Sequence, residues 1–354
     1  MGLKILHSAD WHLDSPFVGF TEQQRQFLRE AQLQIPGKIA DLCRREDCDL
    51  VLLAGDIFDG EARQETVDLL KRELENCGVP VLISPGPHDF CNVTSPWRSE
   101  DWPENVFVFT GELESVTIQG LDCRIYGAAF RSMDCPSLLE DFQARGEERY
   151  CVAVLHGDPL QRNSPYNPIT NAQVRNSSLD YLALGHVHKA GMFRSGQTLC
   201  AWPGCPMGRG WDETGEKGVC IVTLDEEAKL QTRSLYLPRF FDLEAEVNGN
   251  AAEAVEAVLP AVPGDDFYRI TLTGSGAVDL EQLREEFSEF PNLELRDRTE
   301  TPVEVWADAD KDSLEGIYFG MLRKAMEESP ENARRIQLAA EISRKILSGR
   351  EVKL

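Results

Sequence analysis

Four short polar clusters hold five of the chain's six histidines, and each follows directly on an apolar, strand-like run. A fifth cluster of the same kind carries carboxylates alone. In chain order they read Ser8-Ala9-Asp10-Trp11-His12, Gly55-Asp56-Ile57-Phe58-Asp59, Gly86-Pro87-His88-Asp89, His156-Gly157-Asp158 and Gly185-His186-Val187-His188. The preceding runs are Leu3–Leu6, Leu50–Ala54, Val79–Ile83, Cys151–Leu155 and Tyr181–Leu184. They are near-continuously apolar, as strands buried on both faces are. Helical patterns fill some of the gaps. One helix is predicted from Thr21, whose spacing to Gln24 suits a capping box. Another is predicted over Glu65–Cys77, with Val67, Leu70 and Leu74 on one face and Gly78 just past its end. This alternation predicts an α/β domain. In α/β sheets a site forms at the carboxyl ends of the strands, and that is where Asp and His recur here. Ordinary polar turns are the alternative, but five such turns each carrying Asp or His weigh against it.

Composition narrows the function. With 354 residues the chain is long enough for two or three domains with a substantial main core. Its apolar runs fall far short of the roughly 20 residues a membrane helix needs. It enters a strand at Leu3 with no signal-peptide pattern, so a cytoplasmic location and no membrane association are expected. The ten cysteines are scattered. Neither Cys43/Cys48 nor Cys200/Cys205 has a partner pair at zinc-site spacing, which predicts reduced, mostly structural thiols. The net charge of −24 argues against a general electrostatic grip on nucleic acid. It does not exclude a nuclease, because bound divalent cations can carry the positive charge a phosphodiester needs. From Arg323 to Leu354 the balance reverses, which suits a solvated helix face or a binding patch.

Three segments are expected: a catalytic domain over 1–238, a small α+β accessory domain over 239–300, and a helical tail over 301–354. Val106–Phe109 and Arg124–Tyr126 read as further short strands of the first. The accessory segment reads as strands at Phe241–Val247, Tyr268–Leu272 and Leu293–Leu295, with helices at Ala251–Leu259 and Leu280–Phe287. In the tail, one helix starts near Asp312, whose spacing to Glu315 suits a capping box. A second takes Ser329-Pro330 as N-cap and first residue and stops near Gly349. Its apolar residues, among them Ile336, Ala340, Ile342 and Ile346, are partly periodic. They would pack on the parent domain or dock on a partner.

Hydrolysing a phosphodiester needs a strong nucleophile and neutralisation of developing negative charge. Two divalent metals about 3.5–4 Å apart supply both. Carboxylate and imidazole ligands suit Mn²⁺, Fe²⁺ or Zn²⁺. Asp56 is the candidate bridging carboxylate, since Gly55 permits a tight turn at the end of a buried strand. Asp10 and His12 form an i, i+2 pair, as do His186 and His188; in an extended segment both side chains of such a pair lie on one face. No single motif here is specific, but the five in this order are.

On these five segments the chain resembles the calcineurin-like metallophosphoesterases. Within them it is similar to the SbcD-type DNA repair exonucleases, in particular their YhaO-like bacterial branch. The start, His7-Ser8-Ala9-Asp10-Trp11-His12-Leu13-Asp14-Ser15-Pro16-Phe17, is similar to that branch. So is the stretch from Trp202-Pro203-Gly204 through Glu213, Gly215, Lys217 and Gly218. The likeness covers roughly residues 1–240, and the remainder agrees in general layout. It implies a four-layer α/β/β/α sandwich with two metal ions, Mn²⁺ foremost, with Fe²⁺ and Zn²⁺ as alternatives. Asp10, His12, Asp56 and His188 would hold one ion; Asp56, His156 and His186 would hold the other. His88 would face the substrate, protonating the leaving oxygen or stabilising the transition state, with Asp89 orienting it. Asp59 would support the ligands from behind or start a helix, and His7 would be structural. The implied partners are DNA as substrate, an SbcC-like ATPase subunit and a second copy in a homodimer. The chain has no Gly-x-x-x-x-Gly-Lys-Ser/Thr loop, so ATP use would come from that partner. The loop from Asp158 to Asp180, with Arg162, Tyr166 and Arg175, is a candidate DNA contact or a solvated loop.

One departure stands out. The family's Gly-Asn-His-Asp is Gly86-Pro87-His88-Asp89 here, and proline has neither the amide oxygen that would reach the second ion nor an N–H. The second ion is then weakly held, or a water or Asp158 fills the gap. A small-molecule phosphatase or phosphodiesterase, and a weakened or inactive scaffold, are the competing expectations.

Overall fold

The computed structural model describes residues 2–300 and 305–347. Strands β1 (Leu3–Ser8), β2 (Leu50–Leu53), β3 (Val81–Ile83) and β4 (Val106–Val108) run parallel in that order. The next six strands build a second sheet. They are β5 (Glu114–Ile118), β6 (Cys123–Gly127), β7 (Tyr150–His156), β8 (Tyr181–Gly185), β9 (Gly191–Ser195) and β10 (Thr198–Trp202), in the order β5-β6-β7-β8-β10-β9. Its centre is parallel, while β5 and β9 close the edges antiparallel. The chain then returns to the first sheet. There β11 (Val219–Leu224) pairs antiparallel with β1, and β12 (Lys229–Arg233) pairs with β11.

Alternation within the strands creates three apolar layers. Ile5, Leu50, Leu52 and Leu82 from the first sheet meet Ile125, Val152, Val154 and Ala183 from the second. The other face of the first sheet, with Leu6, Val51, Leu53 and Ile83, packs under helices α1 (Glu22–Gln32), α2 (Ile35–Arg45) and α3 (Gln64–Glu75). A single turn, α4 (Pro96–Ser99), buries Trp97 in the same layer. The outer face of the second sheet, with Ala153, Leu155 and Leu182, packs under Val174 of α5 (Asn171–Asn176) and Leu179. The result is an α/β/β/α sandwich. Each aliphatic side chain so buried contributes about 1.5–3 kcal/mol relative to exposure. The capping box expected at Thr21 and Gln24 is formed.

Packing divides the chain into two compact units: Met1–Asp242 with Gly264–Tyr268, and Leu243–Pro263 with Arg269–Leu354. Strands β13 (Phe240–Asn248), β14 (Phe267–Ser275) and β15 (Leu293–Asp297) form a three-stranded sheet in chain order. In the second unit, helices α6 (Ala251–Glu256) and α7 (Leu280–Glu286) pack with Val247, Ile270, Leu272 and Leu295 in one core. Helices α8 (Leu314–Glu328) and α9 (Ala333–Leu347) share a smaller core around Phe319 and Ala340. Two details differ from expectation. The α8 N-cap is Ser313, whose Oγ accepts from the Gly316 N–H at 3.1 Å, while Glu315 turns to Arg344 at 3.4 Å. Pro330 opens a short 3₁₀ turn that precedes α9. The expected stop at Gly349 lies outside the described residues. All ten cysteines are free thiols. Among the described residues no helix is long and apolar enough to cross a membrane.

Candidate metal centre

Strand register decides which clusters meet. Ser8 lies level with Leu53, and Leu53 with Ile83, so the turns after β1, β2 and β3 leave the sheet together. His156 lies level with Gly185 in the second sheet. Beyond the strands, the first two turns stay side by side. Asp10 N–H donates to Gly55 O at 3.0 Å, His12 N–H to Asp56 O at 3.0 Å, and Leu13 N–H to Ile57 O at 2.8 Å. The Asp10-x-His12 segment is not extended, contrary to expectation. Asp10 (φ 55°) and His12 (φ 48°) are both left-handed, and Trp11 between them is drawn into the apolar layer beneath the helices. Asp56 (φ 52°) and His186 (φ 105°) also have positive φ. Four candidate ligands thus hold backbone conformations that cost about 1–3 kcal/mol each and persist only where their surroundings enforce them. Gly55 does make the expected tight turn, at φ +87°, and a Cβ there would lie 2.7 Å from His156 Nδ1.

Among the described residues, three sets of side chains bring possible ligand atoms within 4.8 Å of one another: Asp10, His12 and His188; His12, Asp56 and His88; and Asp10, Asp56 and His156. His12 Nε2 and His188 Nε2 are 3.2 Å apart. That is the spacing of two imidazoles each about 2.1 Å from one shared ion. Asp56 Oδ2 lies 3.8 Å from His12 Nε2 and 3.5 Å from His156 Nε2, so one carboxylate stands between the two groups. His156 Nδ1 donates to Ala54 O at 2.9 Å, which leaves the Nε2 lone pair facing the site. That Nε2 is buried and has no protein hydrogen-bond partner. A buried polar atom without a partner is costly, and a cation would relieve it. The donor set therefore fits divalent metals. His186 is tied in through its backbone N–H, which donates to Asp10 Oδ1 at 2.9 Å; its Nε2 stands 3.6 Å from Asp158 Oδ2.

His88 and Asp89 divide differently than expected. Asp89 makes no bond to the His88 ring. Its Oδ1 accepts from Gly86 N–H at 2.7 Å, and its Oδ2 accepts from Ile57 N–H at 2.8 Å, so the buried carboxylate braces two loops. The carboxylate against His88 is Asp59, with Oδ1 3.1 Å from His88 Nδ1 and 3.4 Å from His12 Nδ1. His88 itself is open to solvent, its side chain 44% exposed. His7 is saturated by protein: Nδ1 meets Tyr181 Oη at 2.7 Å and Nε2 donates to Leu184 O at 3.1 Å. Two residues were missed. Glu213 Oε1 accepts from His188 Nδ1 at 2.6 Å, and Arg209 grips Glu213 through its backbone N–H and its guanidinium. Glu213 stood within a stretch noted for likeness, but nothing local ties it to His188.

The sequence model of the calcineurin-like phosphoesterase family matches residues 3–190. The chain belongs to that family. The metallophosphoesterase YhaO of Bacillus subtilis is 32% identical over 237 residues, covering 62% of this chain and 57% of that protein. The chain therefore matches little more than half the length of that relative. The SbcD component of the SbcCD nuclease from Staphylococcus epidermidis is 20% identical over 363 residues, covering 90% of this chain and 93% of that protein. Among solved structures, a dimetal phosphatase from Danio rerio aligns at 15% identity and a TM-score of 0.47, covering 66% of this chain and 97% of that one. Calcineurin-like phosphoesterases use divalent metal ions, and the groups described above are potential ligands for them.

Electrostatics in this phosphoesterase follow from burial. Burial pushes the Asp10 and Asp89 carboxyls up to about 6, against hydrogen bonds and charges that pull down, and raises Asp56 well above the ordinary range. Burial lowers His12 to about 3 and lowers His156 and His186 as well, keeping these imidazoles neutral and able to donate a lone pair. Burial also opposes ionisation of Asp59 and Glu213. Bonds from His12, His88 and Ser15 in the first case, and from His188 and Arg209 in the second, outweigh it and hold both carboxyls well below their usual range.

Proposed function

We propose that the chain is a two-metal phosphodiesterase acting on DNA, an SbcD-type exo- or endonuclease that works with a separate ATPase subunit. The observation that carries this reading is the convergence of Asp10, His12, Asp56, His156 and His188 in overlapping groups of ligand atoms, among them the buried His156 Nε2, which has no hydrogen-bond partner among the described residues. Asp10, His12, Asp56 and His188 would hold one ion, and Asp56, His156 and His186 the other. Mn²⁺ is the proposed metal. Such ions, when bound, supply a nucleophile at neutral pH and positive charge against the phosphate oxygens. In hydrolysis the water oxygen bonds to phosphorus, the bond to the leaving oxygen breaks, and that oxygen takes a proton. His88, exposed and backed by Asp59, would give it. Asp158 is the proposed substitute for the side-chain oxygen that Pro87 lacks. Its Oδ1 accepts from Leu160 and Gln161 N–H groups, and its Oδ2 is directed at His186.

DNA is favoured by the SbcCD relative and by Tyr166, whose ring lies 5.0 Å from the His186 ring at the mouth of a loop carrying exposed Arg162. An ATPase partner is favoured by the α8–α9 pair. There Leu314, Tyr318, Ile346 and Leu347 line a groove of about 450 Å³, with Leu314 86% exposed. A cytoplasmic homodimer belongs to the same proposal. The net charge of −24 favours a second reading, hydrolysis of small phosphoesters. Labelled single- and double-stranded DNA, incubated with Mn²⁺ and wild type or His88→Ala, separates the readings. Cleavage by the wild type alone supports the nuclease. Turnover of bis(p-nitrophenyl) phosphate or p-nitrophenyl phosphate with intact DNA supports the second. Folded, Mn²⁺-loaded protein inactive on all of them, with and without an SbcC-like subunit, overturns both.

A further inference from the structure

The site is crowded with carboxylates, which repel a phosphoester, yet one guanidinium is built into it. Arg209 is anchored along one edge. Its Nη2 donates to Glu213 Oε1 at 2.8 Å, its Nε to the same oxygen at 3.2 Å, and its backbone N–H to Glu213 Oε2 at 2.7 Å. The other edge is held more loosely: among the described residues Nη1 makes no hydrogen bond, and it forms an ion pair with Asp59 Oδ2 at 3.7 Å, on a side chain 22% exposed. Asp59 is the carboxylate against His88, and Nη2 lies 3.4 Å from His188 Nδ1. The guanidinium therefore spans from Asp59, the carboxylate beside His88, which Nη1 meets, to His188, which the anchored Nη2 meets.

We infer that Arg209 is a catalytic residue whose Nη1 donates to a non-bridging oxygen of the substrate phosphate. This rests on the reading of the centre as a phosphoester hydrolase. The geometry is that of a pre-organised donor. Glu213 fixes the guanidinium plane, so little rotamer freedom is lost on binding. A charged donor held in place acts against charge as it develops on the phosphate. Because an arginine cannot be deprotonated in this range, the donor is present at every working pH.

The test is calorimetric. Inorganic phosphate is titrated into the full-length, Mn²⁺-loaded protein, after Mn²⁺ stoichiometry is measured separately. Arg209→Gln is expected to weaken phosphate binding at least about tenfold, with Mn²⁺ stoichiometry unchanged; Arg209→Lys should fall between. Arg209 also braces Glu213, so the same substitution is made in a Glu213→Ala background, where that bracing is already gone. A further loss of phosphate affinity there supports direct contact. No further loss, or wild-type phosphate affinity in Arg209→Gln, overturns the inference. Failure of the parent reading looks different: the Mn²⁺-loaded wild type would neither bind phosphate nor hydrolyse bis(p-nitrophenyl) phosphate.

Discussion

The Asp10–His12 side of the centre and the His156–His186 side are furnished differently. On the first, His188 Nδ1 leans on Glu213, Glu213 is clamped by Arg209, and His12 stands beside Asp59. On the second, His156 is anchored by Ala54 O, and Asn167 Nδ2 donates to its carbonyl at 2.8 Å. The His186 ring lies against Tyr166 and His156, and the turn after β3 has Pro87 where the family has an asparagine. Counting ligands would make the two sides near equals. Bracing makes them unequal, because groups behind a ligand fix its tautomer and orientation and so set how tightly the metal is held. On the proposed function, the first side would hold its ion the more firmly, and the second would rely on Asp158 in place of the missing amide oxygen.

Substitutions can break or sharpen this contrast. The largest effect belongs to Asp56→Ala, which removes the carboxylate shared by both sides. Mn²⁺ binding should fall below two ions and hydrolysis should be abolished; retention of two tight ions in calorimetry would show that Asp56 bridges nothing. His88→Ala should lower kcat by about 10²–10⁴ while Mn²⁺ stoichiometry holds. If metal is lost instead, His88 is a ligand and not an acid. Glu213→Gln should weaken the tighter Mn²⁺ about 10–100-fold and leave the weaker one alone. Equal weakening of both would erase the distinction between the sides. Pro87→Asn should tighten the weaker ion several-fold, and an unchanged or poorer isotherm would mean Asp158 already fills that place.

The smallest effect lies just outside the centre. Burial holds His7 down at about 3, against 6.5 for an ordinary histidine, so the unfolded chain binds the extra proton between those values. The stability this contributes is fully present above pH 6.5 and is lost as pH falls toward about 3. In His7→Gln the fall in unfolding free energy across that window should be shallower. Identical slopes in urea melts would show that His7 does not stay neutral.

The strands that carry the site, their polar ends and the family were legible in the chain, because continuous apolar runs and the residues that follow them are local signals. Helix α2 was not recognised. Its Pro36-Gly37 looks like a break, yet proline is tolerated in the first turn, where its missing N–H has no helical partner to lose. Strands β9 to β12 are not among the predicted runs; of these, β9 and β12 are antiparallel edge strands and lack the continuous apolar run of a buried parallel one. What no local pattern could decide was which carboxylate meets which imidazole. Asp59 faces His88 although Asp89 adjoins it in sequence, and Glu213 reaches His188 from 25 residues away. Those pairings follow from strand register and from left-handed turns at Asp10, His12 and Asp56. Such turns are unfavourable in an isolated segment and are held by contacts with distant parts of the chain, so only the packed structure contains them.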